Sequence, residues 1–371
     1  MEESISPPVL RAASWAELPG WEEDRLEQSI SAFLYSCQGR KAKGEKSADA
    51  ISWQEICQKA RQVKKEDTLT IRRFFETEFL PYALEEADGR REGLITGYYE
   101  PLIRGSREKD AQNTIPVLGV PSDLLTIDLG DLYPDLKHRR LRGRLVGNRV
   151  IPYWNRGDIE ATGENWPETP LLWVSDPVEF FFLQTQGSGQ VELADGRRVR
   201  IGYADQNGHP YRSIGRVLIE RGDLKPEDAS MQGIQAWARR NPAKLRALLA
   251  ENPSYVFFRE ATEIERDAEE GPLGALGVPL TAERSIAVDS RYIPLGLPVW
   301  LATTRPNSNV EMNRLVFTQD TGGAIKGIIR ADFFWGFGKA AGQEAGKMRQ
   351  KGQMWLFLPR DKDQKAKKGK L

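Results

Sequence analysis

The sequence predicts a mainly β fold with helices, opened by a helical N-terminal segment. Its 34 glycines and 22 prolines exceed what a helical bundle needs and favour many short strands joined by tight turns. Apolar residues recur near a 3.6-residue period in the first 95 or so residues, and short β-branched and aromatic runs then alternate with turns. At 371 residues the chain is long enough to favour two domains over one.

Two stretches predict the N-terminal helices. The stretches "SWAELPGWEEDRLEQSISAFLYSCQ" and "DTLTIRRFFETEFLPYAL" place apolar side chains at helical spacing, namely Leu26, Ile30, Phe33, Leu34, Ile71, Phe74, Phe75 and Phe79. The charged stretch "GRKAKGEKSADA" between them predicts a solvated loop. The helical part therefore ends near "EEADGRREG", just before the first clear strand.

The middle of the chain predicts both strands and helices. Asp195–Gly196 lies between two β-branched runs and is a hairpin signal. The stretch "SDPVEFFFLQTQG" predicts a helix with Ser175 or Asp176 as N-cap and Pro177 at its first position. "SIGRVLIERG" predicts a short helix ended by Gly222, and "KPEDASMQGIQAWARRN" and "PAKLRALLAENP" predict a helical pair.

The last third returns to short, evenly spaced strands. They are bounded by Gly or Pro, which is the pattern of a small closed barrel. The predicted strands are "SYVFFRE", "RSIAVD", "PVWLATT", "RLVFTQD", "AIKGIIRAD" and "QMWLFLP". The final residues, 361–371, form a charged tail for which we expect no packed structure.

Composition excludes several classes of function. Lys plus Arg and Asp plus Glu both number 53, so no global charge favours nucleic acid, and no basic aromatic motif is present. His138 and His209 are the only histidines, and Cys37 and Cys57 the only cysteines. A Ser-His-Asp site or a His-rich metal centre is therefore poorly provided for, and acid–base work shifts to carboxylates. We expect no cofactor and no metal, and a disulfide between the two cysteines is left open.

The sequence leaves the compartment open. No apolar run reaches the roughly 18 residues that a membrane helix needs. The start, "MEESISPPVLRAASW", lacks a basic and apolar leader with a cleavage pattern. Either the protein is cytosolic, or a leader was removed before this sequence begins.

Three aspartates end apolar strand-like runs in the last third, namely Asp289, Asp320 and Asp332. Strand ends of one sheet could bring them to one cleft, although each could instead cap a turn through backbone N–H groups. EF-hand spacing is absent, which favours general acid chemistry over a dedicated calcium site. Asp332 precedes "FFWGFG", and an acid in such a low-dielectric wall has a raised pKa and can donate a proton. Asp320 would then orient it or shape its field.

Other residues suit a long polar substrate. Tyr98, Tyr99 and Glu100 lie in "GYYEP", where the texture changes from helix to strand. Gln184, Gln186 and Ser188 lie in "LQTQGSG" at a predicted helix end, where amides could reach sugar hydroxyl or N-acetyl groups. Core tyrosines and an ordinary helix C-terminus remain the alternatives for these two groups.

Six motifs together resemble the membrane-bound lytic murein transglycosylase A family. They occur in the family's order over roughly residues 97 to 358, and their combination is specific although each alone is weak. The motifs are "TGYYEP", "QTQGSG", "GYADQNGHPYRSIGRVLIERG", "NPSYVFF", "GPLGALGVPLTAERSIAVDSRYIPLG" and "QDTGGAIKGIIRADFFWG".

The resemblance implies a double-psi β-barrel catalytic domain that carries an inserted second β-barrel domain, with a groove between them. Residues 1–105 would supply the helical part and the first part of the catalytic barrel. Residues 106–250 would be the insert, and 251–360 the second part of the barrel, which is the three-aspartate module.

The resemblance also implies the chemistry. Family members cleave the β-1,4 bond between N-acetylmuramic acid and N-acetylglucosamine without water, and leave a 1,6-anhydromuramoyl end. The sugar's own C6 hydroxyl attacks, so one acid suffices and no enzyme nucleophile is needed. Asp332 matches that acid, Asp320 the supporting aspartate and Asp289 the first of the three. Trp335 would offer a face to sugar rings, while Gly322 and Gly323 would let the backbone approach the glycan.

Two rival functions stay open at this stage. One is a hydrolase of the same glycan that uses water and needs a second working carboxylate, Asp320 or Glu100. The other is a non-catalytic binding protein for cell-wall glycan. In each case we expect peptidoglycan glycan strands as partner, a monomer, and a periplasmic or outer-membrane-associated location. Family members often begin with a lipidated cysteine, so any anchor would lie outside this sequence, which begins Met-Glu-Glu.

Overall fold

The computed structural model describes residues 8–42, 48–133, 136, 141–163, 166–261 and 271–360. The chain divides into two compact units. Met1–Tyr99 and Ala268–Leu371 form unit 1, and Glu100–Asp267 form unit 2. Unit 1 is thus built from both ends of the chain, with unit 2 inserted between them. The predicted charged tail, 361–371, lies outside the described residues, as does part of the predicted loop after the first helix.

The described residues form nine α-helices and seventeen strands, numbered in chain order. The helices are α1 Ser29–Ala42, α2 Ala48–Ala60, α3 Thr68–Glu78, α4 Arg156–Thr162, α5 Pro177–Gln186, α6 Ile214–Glu220, α7 Met231–Arg240, α8 Pro242–Ala250 and α9 Gly338–Ala345. The strands of unit 1 are β1 Val9–Ala12, β2 Phe79–Glu85, β3 Gly93–Glu100, β13 Ser285–Val288, β14 Pro298–Thr304, β15 Glu311–Asp320, β16 Arg330–Phe337 and β17 Arg349–Pro359. Those of unit 2 are β4 Leu102–Ser106, β5 Ile115–Val117, β6 Leu125–Ile127, β7 Leu141–Val146, β8 Arg149–Pro152, β9 Leu172–Val174, β10 Ser188–Glu192, β11 Arg198–Gln206 and β12 Val256–Glu260.

Unit 1 contains a sheet that closes on itself. Its eight strands run in the order β1-β2-β17-β14-β15-β13-β16-β3. β17 also pairs with β3, with Arg349–Gly352 opposite Gly93–Thr96, so the six strands from β17 to β3 form a ring. Its core includes the fully buried rings of Trp300, Phe317 and Phe333. This ring positions the residues described below.

The N-terminal helices pack on this sheet and are covalently joined. A disulfide links Cys37 on α1 to Cys57 on α2, so the bond that the sequence left open is formed. The helical interpretation of the second N-terminal stretch is wrong beyond Glu78, because Phe79–Glu85 form strand β2 instead. Pro81 explains the change, since proline removes a backbone donor and clashes with the preceding helical turn. Within the described residues, no helix is both long and apolar enough to cross a membrane.

Strand β13 lies between β15 and β16, the two strands that carry Asp320 and Asp332. It pairs parallel with β15 on one side and antiparallel with β16 on the other. Ala287 lies opposite Asp320 of β15 and also opposite Asp332 of β16. Residues directly opposite each other in a sheet share a face, so both acids project from the same face as Ala287.

Unit 2 contains two further sheets. One has the order β12-β11-β10-β4-β9-β5, and a 2.9 Å hydrogen bond from the N–H of Phe258 to the carbonyl of Leu118 links its two ends. The other sheet is formed by β6, β7 and β8. β4 and β12 belong to the first of these sheets, so they group with the insert rather than with the flanking segments to which the sequence assigned them.

Several local predictions are confirmed. Asp176 caps α5 with Pro177 at its first turn, and β10 and β11 form the antiparallel hairpin around Asp195–Gly196. The strand predicted for "AIKGIIRAD" begins only at Arg330, so the first part of that prediction is wrong. Gly327 has φ +120°, a conformation that non-glycine residues avoid, and this breaks the strand before it starts.

Candidate active site

Asp332 is the acid at the centre of the candidate site. It lies half-buried on β16 and accepts a 2.6 Å hydrogen bond from the hydroxyl of Thr96 on the neighbouring strand β3. Burial raises the pKa of Asp332 from 3.8 to about 6, and the negative charge of Asp320 acts in the same direction. The Thr96 hydrogen bond and the positive charge of Arg330 lower the pKa, but burial outweighs them. This carboxyl can therefore hold or release a proton near neutral pH.

Asp320 has a different environment, rich in hydrogen-bond donors. The hydroxyl of Tyr98 donates to it at 3.1 Å, and the backbone N–H groups of Ala275 and Thr321 both donate at 2.9 Å. Burial and the charges of Asp320 and Asp332 raise the pKa of Tyr98 well above its usual range, so the phenol remains a donor. A carboxylate that accepts three such bonds suits a fixed negative charge rather than a proton donor.

A small apolar cluster forms the floor between the two acids. Its five buried members are Tyr98, Leu280, Ala287, Ile325 and Phe334. The rings of Tyr98 and Phe334 contact each other with centroids 5.1 Å apart. The period of two along a strand explains the arrangement, because it puts Phe334 on the same face of β16 as Asp332. Apolar groups here exclude water from the acid and account for its raised pKa.

Because successive side chains of a strand alternate between the two faces of the sheet, Trp335 points to the face opposite Asp332. Trp335 is 7% exposed, belongs to the core of unit 1, and donates from its indole N–H to the sulfur of Met348. Tyr99 is likewise buried in that core, on the face of β3 opposite Tyr98. The structure therefore does not bring the predicted Trp335 and Tyr99 to the site, because both fill the interior of the sheet.

Asp289 fixes the loop that joins the two acids. Its carboxylate accepts a 2.9 Å hydrogen bond from the backbone N–H of Gly327 and is paired with Arg291 at 2.6 Å. Burial acts to raise the pKa of Asp289, but the bonds from Arg291 and Gly327 outweigh it and hold the pKa below its usual range. At 2% exposure Asp289 orders the loop from within.

The two predicted glycines, Gly322 and Gly323, lie near the start of that loop. Gly322 is half-buried, and a side chain there would lie 2.7 Å from Ile325. Gly323 is exposed, with open space where a side chain would start. Both follow Thr321, whose backbone N–H donates to the Asp320 carboxylate.

The remaining predicted residues belong to unit 2. Glu100 is 1% exposed and is held by Arg200, with 2.9 Å between the side chains, and by Gln190 at 2.9 Å. Burial raises the pKa of Glu100 although the charge of Arg200 lowers it. Gln184 is also buried and donates to the carbonyl of Val256.

Gln186 and Ser188 are more accessible than Gln184. Both are half-buried and flank Gly187, which ends α5 in a left-handed conformation with φ 84°. Unlike Gln184, whose amide donates inward to Val256, they lie at the turn where helix α5 gives way to strand β10.

Sequence reasoning missed two partners of the acids. Thr96 lies in the quoted motif "TGYYEP", and its place two residues before Tyr98 on a strand was the available signal. The backbone N–H of Ala275 carried no signal, because any residue type supplies it. No group of three or more His, Cys, Asp or Glu side chains that could hold a metal ion occurs within the described part of the chain.

Comparisons with known proteins identify the family. The MltA specific insert domain matches residues 94–259, and the 3D domain matches residues 284–358. The insert precedes the 3D domain in the chain, and the relatives that the chain matches are lytic transglycosylases. The chain belongs to the membrane-bound lytic murein transglycosylase A family. The protein of that name from Escherichia coli (strain K12) is 32% identical over 284 residues, which are 74% of this chain and 68% of that protein.

Solved structures agree with this assignment. Crystalline MltA from Neisseria gonorrhoeae, in its monoclinic form, has a TM-score of 0.81 at 36% identity, over 95% of this chain and 93% of that one. The lytic transglycosylase LtgG of Burkholderia pseudomallei is 43% identical with a TM-score of 0.65, over 96% and 99%. Escherichia coli MltA with bound chitohexaose has a TM-score of 0.69 at 26% identity, over 96% and 95%. The mixed α/β fold of this chain is therefore that of the MltA structures.

Proposed function

We propose that this chain is a peptidoglycan lytic transglycosylase. It cleaves the β-1,4 bond between N-acetylmuramic acid and N-acetylglucosamine and leaves a 1,6-anhydromuramoyl end. The observation that carries the proposal is a single half-buried carboxyl, Asp332, with a pKa of about 6, beside a second carboxylate held by three donors. The names of the relatives, and chitohexaose in one of their structures, support glycan as the substrate.

Asp332 performs both proton transfers in this mechanism. As an acid it donates its proton to the glycosidic oxygen, and the bond from that oxygen to the anomeric carbon breaks. As a carboxylate it then takes the proton of the C6 hydroxyl while O6 bonds to the anomeric carbon. Water is neither consumed nor released, and Asp332 ends protonated as it began. A pKa near 6 suits a group that must serve in both directions.

Asp320 and Thr96 support this cycle without exchanging protons with the substrate. The fixed negative charge of Asp320 stabilises the positive charge that develops at the anomeric carbon. Thr96 orients the Asp332 carboxyl through its 2.6 Å hydrogen bond. The apolar floor keeps water from competing with O6.

The finer features of the fold belong to the same proposal. The closed ring of six strands in unit 1, with its parallel β13–β15 pair, supports a double-psi β-barrel. The link between β12 and Leu118 supports a second barrel in unit 2. We also retain Gln186, Ser188, Gly322 and Gly323 as contacts for the glycan, since all four are at least partly accessible.

The location and partners follow from the proposed substrate. Peptidoglycan lies outside the cytoplasmic membrane, and the disulfide between Cys37 and Cys57 suits an oxidising compartment. We therefore propose a periplasmic or outer-membrane-associated enzyme that works as a monomer on glycan strands.

Mass spectrometry of the soluble products from purified peptidoglycan tests the function. Wild type is expected to release muropeptides with anhydro ends, each lighter by one water than a hydrolysis product. Asp332→Asn is expected to lower the rate by at least about 100-fold, because it removes the only proton donor. Asp320→Asn serves as the comparison, with slower formation of the same anhydro products.

The other outcomes are equally informative. Products with reducing ends would replace the proposal by a hydrolase in which Asp320 activates water. Retention on the wall without any products, from wild-type protein, would instead indicate a glycan-binding protein.

A further inference from the structure

The two acids lie level with each other because β15 contains an extra residue. Ile286 of β13 pairs with Thr318, and the next residue, Ala287, pairs with Asp320. Gln319 is therefore skipped and forms a β-bulge. Bulges of this kind recur beside active sites, where they redirect a neighbouring side chain.

Without the bulge the site would not form. In a regular ladder Gln319 would lie opposite Ala287, and Asp320 would move on to face Val288. A shift of one residue also moves every following side chain to the other face of the sheet. Asp320 would then point away from the face that carries Asp332.

The side chain of Gln319 is anchored from three sides. It is fully buried, and its amide oxygen accepts a 2.6 Å hydrogen bond from the hydroxyl of Ser285 on β13. Its amide nitrogen donates to the carbonyl of Ala32 at 2.7 Å and to the hydroxyl of Ser36 at 3.0 Å, both on helix α1. The side chain of Gln319 thus links strand β13 to helix α1.

The backbone of Gln319 is anchored as well. Its carbonyl accepts a 3.0 Å hydrogen bond from the N–H of Leu276, the residue after Ala275, which donates to Asp320. Gly274 approaches so closely that a Cβ atom there would lie 2.5 Å from the Gln319 carbonyl. The bulge therefore also holds the backbone segment that binds Asp320.

We propose that Gln319 is a positioning residue for the reaction, acting through Asp320. It locks the bulge that sets Asp320 level with Asp332, and it uses helix α1 as its anchor. This inference rests on the proposed function for its meaning in catalysis. It also gives helix α1 a role in the site, because α1 holds the side chain that fixes the register of Asp320.

The test compares Gln319→Leu with Asp320→Asn and with the double variant. Leucine retains bulk but makes none of the three hydrogen bonds. Gln319→Leu is expected to lower kcat by about 10- to 100-fold, the scale of a misplaced catalytic group, with KM within about threefold of wild type. In the Asp320→Asn background it is expected to have no further effect, because the residue through which it acts is already disabled.

The pH profile gives a readout that a merely structural role would not move. The charges of Asp320 on β15 and Arg330 on its own strand act on the pKa of Asp332, and Asp332 in turn raises the pKa of Tyr98 on β3. Removing or displacing the negative charge of Asp320 lets Asp332 lose its proton at lower pH. Gln319→Leu and Asp320→Asn are therefore both expected to shift the alkaline limb of the rate profile towards acid.

Two further variants keep the test decisive. Thr303→Val removes the 2.7 Å hydrogen bond that a threonine of 7% exposure donates to the carbonyl of Lys351, elsewhere in the same sheet, and is expected to leave the alkaline limb in place. Ser36→Ala removes only one of the three anchors and is expected to shift the limb in the same direction by less. It replaces Gln319→Leu if that variant does not fold.

The inference is overturned if the alkaline limb of the rate profile stays in place in both Ser36→Ala and Gln319→Leu. It is also overturned if the losses in kcat from Gln319→Leu and Asp320→Asn add up in the double variant. A ¹³C-carboxyl titration of Asp332 in wild type and Gln319→Leu measures the same displacement without turnover. If wild type forms no anhydro product, the proposed function fails while this titration still decides the role of Gln319.

Discussion

Thr96 and Asp332 are separated by 236 positions in the sequence, yet the hydroxyl of Thr96 lies 2.6 Å from the carboxylate of Asp332. The bond joins the neighbouring strands β3 and β16, which come from the first and the last third of the chain. A hydrogen bond donated to the ionised form favours that form. Thr96 therefore limits how far burial can raise the pKa of the acid.

Thr96→Val is expected to shift the alkaline limb of the rate profile to higher pH. The variant loses a bond that lowers the pKa of Asp332, so that pKa rises above about 6 and the acid keeps its proton longer. The maximal rate is expected to fall about tenfold or more, because the carboxyl is less well oriented. Rates of muropeptide release from pH 4 to 9 provide the measurement. Thr96→Ser retains the hydroxyl, and a limb displaced in it as far as in Thr96→Val would contradict the explanation.

Asp332→Asn is expected to be more stable than wild type at neutral pH. The pKa of Asp332 in the folded chain, about 6, lies above its ordinary 3.8. The stability it contributes is full below the ordinary value and is lost as pH rises through about 6. This rise corresponds to at most about 3 kcal/mol, and we expect about 1–2 kcal/mol because the group is only half-buried.

Urea unfolding at pH 7.5 and at pH 4 checks this prediction. The gain of Asp332→Asn should be present at the higher pH and almost vanish at the lower one. Asp320→Asn is the matched control, since it disturbs a carboxylate with three donors and should show no gain. Equal stability of wild type and Asp332→Asn at pH 7.5 would show that the acid is not strained by burial.

Asp289→Asn is expected to loosen the loop between the two acids. The pKa of Asp289 is held below its usual range, so its contribution to stability is present at neutral pH and is lost as pH falls through the folded value. The substitution weakens the bond to Gly327 and removes the charge that pairs with Arg291. We expect faster hydrogen exchange in residues 321–329 and a rate about tenfold lower.

Hydrogen exchange read by mass spectrometry resolves this loop from the rest of unit 1. Asp195→Asn offers a control, because Asp195 is an exposed aspartate in the hairpin of unit 2 that also pairs with a nearby arginine, Arg197. Exchange in residues 321–329 that is equal in wild type and Asp289→Asn would show that the loop is held by other contacts.

Loss of the disulfide is expected to destabilise the N-terminal helices. Cys37 and Cys57 are separated by 20 positions, and closing a loop of that length contributes about 3 kcal/mol. Cys37→Ala combined with Cys57→Ala should therefore unfold at lower temperature than wild type. Calorimetry of both proteins, with and without a reductant, checks this, and wild type with reductant should approach the variant. A melting temperature insensitive to both changes would contradict the prediction.

Part of the local pattern was readable from the sequence. Asp320 ends β15 and Asp289 follows β13, as predicted, and Asp176 caps α5. The prediction that Asp332 also ends a strand is wrong, because Asp332 is the third residue of β16. The period of two could also have separated Phe334, on the floor of the site, from Trp335, in the core. The two side chains are neighbours in the chain, and only their faces differ.

The tertiary pairings were not readable in the same way. That Ala287 faces both acids depends on the register of three strands, and the bulge at Gln319 is defined only once β13 is beside β15. Glu100 shows the same limit, since its burial depends on Arg200, a hundred positions later. Side chains that form such pairs carry no local signal that distinguishes them from exposed polar residues.

The insertion of unit 2 between β3 and β13 has a consequence for biosynthesis. Thr96 and Tyr98 leave the ribosome long before Asp320 and Asp332, and the strand that closes the ring, β17, is made last. A nascent chain that has not yet reached β15 thus holds the hydroxyls of Thr96 and Tyr98 without their partners, Asp332 and Asp320. The proposed acid is therefore absent until the last strands are synthesised, and a partial chain cannot carry out the proposed reaction.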